Sequence, residues 1–157
     1  MAGESTSPKV PGISSLLGTS DGSRQIVCVM GLGFVGSAMV AVVGSTVDQE
    51  NNSVYDVIGV ELANEQGLAR ADAIKNGIFP FECTDNSLQD AVAGAVKAGN
   101  LTATTDESTF ALADVIIIDI PLDVRFDTQP AEANFESFKR GIRTIGKYVK
   151  PGALIIV

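Results

Sequence analysis

Residues 25–45 read QIVCVMGLGFVGSAMVAVVGS, and this stretch decides the fold. After Gln25 the first residues are all apolar, which predicts a buried strand over 25–30. Three glycines follow, and a run rich in alanine, valine and methionine predicts a helix over 34–45. Residues 26–43 carry no charge and are long enough to suggest a membrane span, but the glycines interrupt them. A strand, a tight turn and a buried helix in series explain the same apolarity.

The glycines form the pattern G-x-G-x-x-G between the predicted strand and the predicted helix. In that context the pattern is typical of a dinucleotide-binding turn. Gly31 permits the tight turn, Gly33 lets the backbone approach a pyrophosphate, and Gly36 lets the helix pack closely on the strand. The backbone amides at the start of the helix, from Phe34, Val35 and Gly36, are expected to bind the phosphates.

An acidic residue completes the pattern at the end of the next predicted strand, which covers residues 56–62. Glu61 lies there, 25 residues after Gly36, and the polar loop 46–55 explains why this spacing exceeds the usual ~20. A carboxylate at this point accepts hydrogen bonds from the ribose hydroxyls and repels a 2′-phosphate. No lysine or arginine follows before Arg70, so we predict NAD rather than NADP as the cofactor. The alternative is a solvated glutamate at a strand end.

Strands and helices alternate along the rest of the chain. Further helices are predicted over 63–76, 87–98 and 131–149, a short helix or turn over 107–113, and strands over 101–105, 114–120 and 153–157. The strands are continuously apolar, which is typical of a parallel sheet buried on both faces. We therefore predict an α/β fold: a Rossmann-type doubly wound parallel sheet with helices on both faces.

The longest predicted helix, over 131–149, combines an apolar stripe with a charged face. The stripe consists of Phe135, Phe138, Ile142, Ile145 and Val149, which recur at helical spacing. The charged residues expected to be solvated are Glu132, Glu136, Lys139, Arg140 and Arg143.

Two residues inside predicted strands carry groups that could react or bind. Cys28 is predicted to be a small core residue rather than a nucleophile. Asp119 interrupts a strand of isoleucine and valine, where a carboxylate is costly to bury. It is expected either near the ligand or at the exposed carboxyl end of the strand, and the sequence leaves both open.

The domain organisation is simple. Residues 1–23 are rich in serine, glycine, threonine and proline and are predicted to form a flexible leader, with a short packed turn at 13–17 as an option. They lack a basic start followed by a long apolar run, so they do not resemble a signal peptide. Residues 24–157 have the length of one domain.

The composition excludes several classes of function. Asp and Glu number 19 against 11 Lys and Arg, and a net charge of −8 argues against nucleic-acid binding. The absence of histidine excludes Ser-His-Asp and Cys-His catalysis and His-ligated metals. Two cysteines are too few for a disulfide scaffold or a four-cysteine zinc site, which favours a reducing cytoplasm. We expect no metal, no nucleic acid and no membrane partner.

Six segments together resemble one enzyme family. They are VMGLGFVGSAMV, VIGVEL, GIFPFE, GNLTATTD, ADVIIIDIP and VKPGALIIV, in this order. From about Arg24 to Val157 the chain is similar to the amino-terminal part of the UDP-glucose/GDP-mannose dehydrogenases, which include the UDP-N-acetylmannosamine dehydrogenases. The glycine pattern is common to many families, whereas LTATTD, ADVIII and VKPGALIIV at these spacings are more specific.

The resemblance implies an activity and a division of labour. These enzymes oxidise the C6 alcohol of a nucleotide sugar to a carboxylate in two NAD-dependent steps, in polysaccharide biosynthesis. The resemblance places Gly31, Gly33 and Gly36 on the pyrophosphate and Glu61 on the ribose, with Ile120-Pro121-Leu122 beside the nicotinamide half. It places the catalytic cysteine, its lysine and aspartate partners and most of the sugar site in later domains. We therefore expect a cofactor-binding domain cut from a longer homo-oligomeric enzyme, without catalytic residues of its own and inactive alone.

Two segments depart from the family pattern. Residues 120–123 read Ile-Pro-Leu-Asp and lack the threonine of the usual Val-Pro-Thr-Pro. No Glu-Pro-Gly-Leu follows the second helix, where Glu82 is followed by Cys83.

GLGFVGSAMV would also suit a β-hydroxyacid or 6-phosphogluconate-type dehydrogenase. A nucleotide-sensing module without catalysis and a methyltransferase-like domain for S-adenosylmethionine remain the non-dehydrogenase alternatives.

Overall fold

The computed structural model describes residues 10–18, 20–84, 86–125 and 132–157. The strands are β1 (Gln25–Met30), β2 (Tyr55–Val60), β3 (Leu101–Thr104), β4 (Val115–Ile118), β5 (Asp123–Arg125), β6 (Glu132–Asn134) and β7 (Leu154–Ile156). The helices are α1 (Ile13–Leu16), α2 (Phe34–Gly44), α3 (Glu65–Lys75), α4 (Ser87–Ala98) and α5 (Glu136–Tyr148), with a 3-10 helix over Glu107–Leu112.

Five strands form one parallel sheet in the order β3-β2-β1-β4-β7. From β1 the chain builds the sheet first towards β3 and then, after returning past β1, towards β7. The strand order therefore reverses between β1 and β4, and the carboxyl ends of these strands border the crevice where a doubly wound fold binds its ligand. The predicted α/β, Rossmann-type fold is confirmed.

The inner strands β1 and β2 are buried on both faces of the sheet, whereas the edge strand β7 is exposed. Alternate residues of a strand point to opposite sides of the sheet. On one side Val29 and Val57 pack with residues of α2, α3 and α4. On the other side Cys28 and Ile58 pack with Phe110 of the 3-10 helix and with residues of α5. Two apolar clusters separated by the sheet explain why the inner strands are continuously apolar in sequence.

The amino end of the sheet holds a buried charged cluster. Asp56, at the beginning of β2, is fully buried and accepts hydrogen bonds from the Ser20 hydroxyl and from Arg24 Nε, the latter at 2.8 Å. Arg24 Nη2 lies 2.7 Å from the same carboxylate as an ion pair. Just before Ser20, α1 packs on the apolar cluster beneath the sheet, and Leu17 is only 2% exposed. Part of the segment predicted as leader is thus joined to the sheet by both polar and apolar contacts.

The predicted helix over 131–149 is wrong at its beginning. Ala131 lies outside the described residues, and β6 pairs antiparallel with β5, so that the backbone of 132–134, including Glu132, belongs to a two-stranded sheet. The helix α5 begins at Glu136, after Phe135. The predicted stripe is only partly buried: Ile145 is buried and Phe138 and Val149 pack on the core, whereas Phe135 and Ile142 are exposed.

The described residues contain neither a membrane-spanning helix nor a cluster of metal ligands. Among them, no helix combines the length and the apolarity needed to cross a membrane. Within the same part of the chain, no three cysteine or acidic side chains come together as a metal site.

Candidate cofactor site

The turn between β1 and α2 requires glycine at two positions. Gly31 has a φ of +93°, which L-residues with side chains rarely adopt, and its N–H donates to Val60 O at 2.9 Å. A Cβ added there would overlap the carbonyl oxygen of Asp119. A Cβ added at Gly36 would overlap the carbonyl oxygen of Gly31. Gly31 and Gly36 therefore let the turn, the first turn of α2 and the end of β4 pack in direct backbone contact.

Gly33 is different because the space next to it is open. It is the N-cap of α2, with extended φ and ψ of −62° and −174°, and no side chain caps the helix there. A Cβ added to Gly33 would have no atom within 4 Å. The first amides of a helix have no acceptor within the helix and attract anions. The open space, the free approach to the backbone and the start of an 11-residue helix together fit a pyrophosphate group.

Glu61 follows β2 directly and connects the end of this strand to the glycine turn by a hydrogen bond. Its Oε2 accepts a hydrogen bond from Leu32 N in the glycine turn, and its Oε1 accepts one from Leu62 N, both at 2.8 Å. Its side chain is 11% exposed and lies against the cleft. A carboxylate has about four lone-pair positions for hydrogen bonds, so Glu61 retains capacity for ribose hydroxyls.

The expectation that no cation lies near Glu61 is wrong. Arg70 Nη1 lies 3.5 Å from Glu61 Oε2, although nine residues separate them in sequence. Asn64 caps α3 by accepting a hydrogen bond from Gly67 N at 2.8 Å, and a Cβ at Gly67 would overlap the carbonyl oxygen of Leu62. The beginning of α3 therefore packs closely against the end of β2. As a result, Arg70 in the second turn of α3 lies next to Glu61.

A cleft of about 340 Å³ opens at this end of the sheet. Five of the predicted site residues line it: Gly31, Gly33, Glu61, Ile120 and Pro121. Sequence reasoning missed its other principal contributors, which are Arg70 on α3, Glu107 and Phe110 on the 3-10 helix, and Arg140, Gly141 and Thr144 on α5. Arg140, expected on the solvated face of its helix, is exposed and also borders the cleft.

One sequence signal could have indicated the contribution of α5. Gly141 interrupts the predicted amphipathic helix, and a Cβ at this position would overlap Ile120 Cδ1 and lie 3.0 Å from Met30 Sδ. The glycine thus allows α5 to approach the ends of β1 and β4. A glycine in the middle of a helix is unfavourable by about 1 kcal/mol relative to alanine, so close packing is a reasonable explanation for it.

The other predicted site residues do not line the cleft. Phe34 and Val35 have exposed side chains on α2, and Gly36 is buried behind the turn. The Phe34 ring lies edge-on, at 5.7 Å between centroids, to both Phe79 and Phe81. Leu122 is exposed beyond Pro121. Any contact of Phe34 or Val35 with a phosphate is therefore made by backbone amides.

The two places that the sequence left open for Asp119, near the ligand and at the carboxyl end of its strand, are the same place in the structure. Asp119 follows the last residue of β4, and its N–H donates to Met30 O at 2.8 Å. Its carboxylate lies beside the glycine turn, with Oδ2 3.0 Å from the Cβ position of Gly36, and it lines the cleft. It is at the carboxyl end of its strand and beside the ligand space at once.

The sequence itself identifies the family. Residues 25–157 match the NAD binding domain of the UDP-glucose/GDP-mannose dehydrogenase family. The chain belongs to this family. NAD is the cofactor of the matched domain, and the open glycine turn with Glu61 beside it fits such a dinucleotide. No match was found among curated proteins.

Solved structures support the fold of this UDP-glucose/GDP-mannose dehydrogenase domain. An NDP-N-acetyl-D-galactosaminuronic acid dehydrogenase from Methanosarcina mazei Go1 superposes with a TM-score of 0.71 at 24% identity, over 91% of this chain and 29% of that one. A UDP-D-ManNAc dehydrogenase from Pyrococcus horikoshii gives 0.66 at 21% identity, over 83% and 27%. The GDP-mannose dehydrogenase from Pseudomonas aeruginosa gives 0.61 at 21%, over 76% and 24%. The chain thus spans less than a third of the length of these structures.

Proposed function

We propose that this domain binds and orients NAD for a nucleotide-sugar 6-dehydrogenase, an enzyme that oxidises the C6 alcohol of a UDP- or GDP-sugar to the uronate. The observation that carries the proposal is the match of residues 25–157 to the NAD binding domain of a dehydrogenase family. The polar insert 46–55 and the segment VKPGALIIV favour this reaction over that of β-hydroxyacid dehydrogenases. The proposed setting is polysaccharide biosynthesis in the cytoplasm, in a homo-oligomeric protein.

Each part of the proposed site has a physical role. The amides of Gly33, Phe34, Val35 and Gly36 bind the pyrophosphate, which Gly31 makes possible by turning the chain. Glu61 accepts hydrogen bonds from the ribose hydroxyls while its bond to Leu32 N keeps it at the turn. We propose that Ile120 and Pro121, which line the cleft, and the exposed Leu122 that follows them border the nicotinamide half of the ligand.

The chain's contribution to catalysis is binding and orientation. When bound, NAD supplies a hydride acceptor for the C6 carbon. The apolar side chains of Met30, Phe110 and Ile120 contribute to the lining of the cleft, and in this proposal the α2 amides hold the negative phosphates in place. Holding a reactant in one orientation lowers the barrier through entropy that binding has already removed.

We propose that the covalent step and the sugar pocket are supplied by other parts of the enzyme. Cys28 is buried, its Sγ lies 3.8 Å from Thr109 O, and burial raises the pKa of its thiol to about 12. A thiol in this state is a poor nucleophile. Cys83 is exposed on the loop before α4 and does not line the cleft. The proposal is consistent with a chain that spans less than a third of its structural relatives.

Ligand-dependent thermal unfolding tests the proposal directly. NAD should stabilise the chain by about 2.7 kcal/mol at 100 times its Kd, because a ligand that binds only the folded state shifts the equilibrium by mass action. S-adenosylmethionine at the same concentration should give no shift. Stabilisation by S-adenosylmethionine and not by NAD would assign the domain to a different class of protein.

A second measurement concerns turnover. The 157-residue chain should form no NADH, followed by absorbance, with UDP-glucose, UDP-N-acetylmannosamine or GDP-mannose, because binding alone does not supply a nucleophile. Steady turnover that is lost in Cys83→Ser would contradict both the division of labour and the inert role given to that cysteine.

A further inference from the structure

Arg70 is held in the cleft from two sides. Its Nη1 lies 3.5 Å from Glu61 Oε2, and its guanidinium carbon lies 5.2 Å from the centroid of the Phe81 ring. The ring belongs to the aromatic cluster with Phe34 and Phe79. An arginine over an aromatic face is attracted by the ring quadrupole. With 24% of its side chain exposed, Arg70 is ordered by its neighbours and still accessible from the cleft.

The position of Arg70 changes the electrostatics of the proposed ribose site. A glutamate there repels the 2′-phosphate of NADP, whereas an arginine near the ribose binds that phosphate. In this cleft both groups are present, and the guanidinium offsets the charge of Glu61. Arginine has five N–H donors in a planar fork that fits phosphate oxygens, and among the described residues only Glu61 accepts a hydrogen bond from it.

We propose that Arg70 determines cofactor selectivity, because it gives the 2′-phosphate of NADP a cation next to Glu61 and thereby narrows the preference for NAD. The inference rests on the proposed function, since it requires the dinucleotide ribose to lie at Glu61. It predicts that NADP binds this chain more weakly than NAD but measurably. A merely structural role, in which Arg70 joins α3 to the loop around Phe81, would change stability without changing the relative affinity of the two nucleotides.

The test is calorimetric titration of the full chain with NAD and with NADP. Arg70→Gln should increase the ratio Kd(NADP)/Kd(NAD) about tenfold, through weaker binding of NADP, as expected for the loss of hydrogen bonds to a charged group. Arg70→Lys keeps the charge but not the planar fork, and should increase the ratio by about threefold. The effect of salt is a further readout: NADP affinity should fall more steeply with ionic strength than NAD affinity, and the difference should shrink in Arg70→Gln.

The matched control is Lys75→Gln, which removes one positive charge from the same helix. Lys75 lies 3.6 Å from Asp72, is half-exposed and does not line the cleft, so this variant should leave the Kd ratio unchanged. If Arg70→Gln fails to fold, the Kd ratio measured for Arg70→Lys decides between the selectivity role and a merely structural role.

The outcomes separate the two proposals. A ratio that rises in the Arg70 variants and not in Lys75→Gln supports the selectivity role. A ratio that stays constant while wild type binds NAD overturns the selectivity role and leaves the proposed function in place. A wild-type chain that binds neither nucleotide overturns the proposed function itself.

Discussion

The two ends of the parallel sheet differ in what their charged side chains contact. At the amino end, Asp56 is fully buried and bound by Arg24 and Ser20, and Asp114 is bound by Lys150 at 2.7 Å. At the carboxyl end the charged residues surround a cleft: Glu61, Arg70, Glu107, Asp119 and Arg140. Among the described residues, the only ion pair between these cleft groups is the longer contact of Glu61 with Arg70, at 3.5 Å.

This difference separates stability from ligand binding. Removing one partner of a buried ion pair destabilises the fold because it leaves the other charge buried and unpaired. Charges arranged around an accessible cleft keep their capacity for hydrogen bonds and so mark a binding site. Variants at the amino end should therefore change the free energy of unfolding and leave nucleotide affinity intact. Variants at the carboxyl end should change nucleotide affinity and leave the free energy of unfolding intact.

The largest expected effect is at the amino end. Asp56→Ala should lower the free energy of unfolding by about 3–5 kcal/mol, because it leaves Arg24 without its carboxylate and Ser20 without its acceptor in a buried place. Chemical denaturation measures the loss. The fraction that remains folded should bind NAD with wild-type affinity. A normal stability would mean that water replaces the carboxylate and that the leader is not held by this cluster.

At the carboxyl end, Gly33→Val should reduce NAD affinity at least about a hundredfold, or about 2.7 kcal/mol, and leave the domain folded. The valine side chain would occupy the open space assigned to the pyrophosphate, and the extended φ and ψ of Gly33 accept it without backbone strain. Gly12→Val is the matched control, since Gly12 is also an extended N-cap with room for a side chain. Unchanged calorimetric affinity in a folded Gly33→Val protein would refute the phosphate site.

The smallest effect concerns Asp114 and pH. Burial raises the pKa of Asp114, but the hydrogen bond from Ile26 N–H and the Lys150 ammonium outweigh it and hold the pKa below its ordinary value. A lowered folded-state pKa adds stability that is present above about pH 4 and is lost as pH falls through the folded pKa. Lys150→Met should lower stability by about 1 kcal/mol at pH 7 and flatten the decline between about pH 5 and 3. Denaturant midpoints of wild type and variant, measured across this pH range, test the prediction. An equally steep decline of stability in the variant would show that Lys150 does not cause the lowered pKa of Asp114.

Local features of the sequence account for the turn and for the acid. The positive φ of Gly31 and the approach of Gly36 to the Gly31 carbonyl are set within a few residues, and Glu61 follows a short apolar run that indicates a buried strand. Arg70 was missed because its position depends on how α3 begins at Asn64 and Gly67. The beginning of α5 was missed because the pairing of β5 with β6 overrides the helical spacing around Phe135.

By itself, the sequence determined the alternation of strands and helices, the parallel sheet, the glycine turn and the family, because each depends on periodicity, on backbone restrictions or on motifs within short segments. Only the tertiary structure decided which side chains share the cleft and which charges neutralise each other. Ser20 meets Asp56, Lys150 meets Asp114 and Arg70 meets Glu61 through space. Electrostatic interactions depend on distance and burial, and neither quantity is contained in the spacing of residues along the chain.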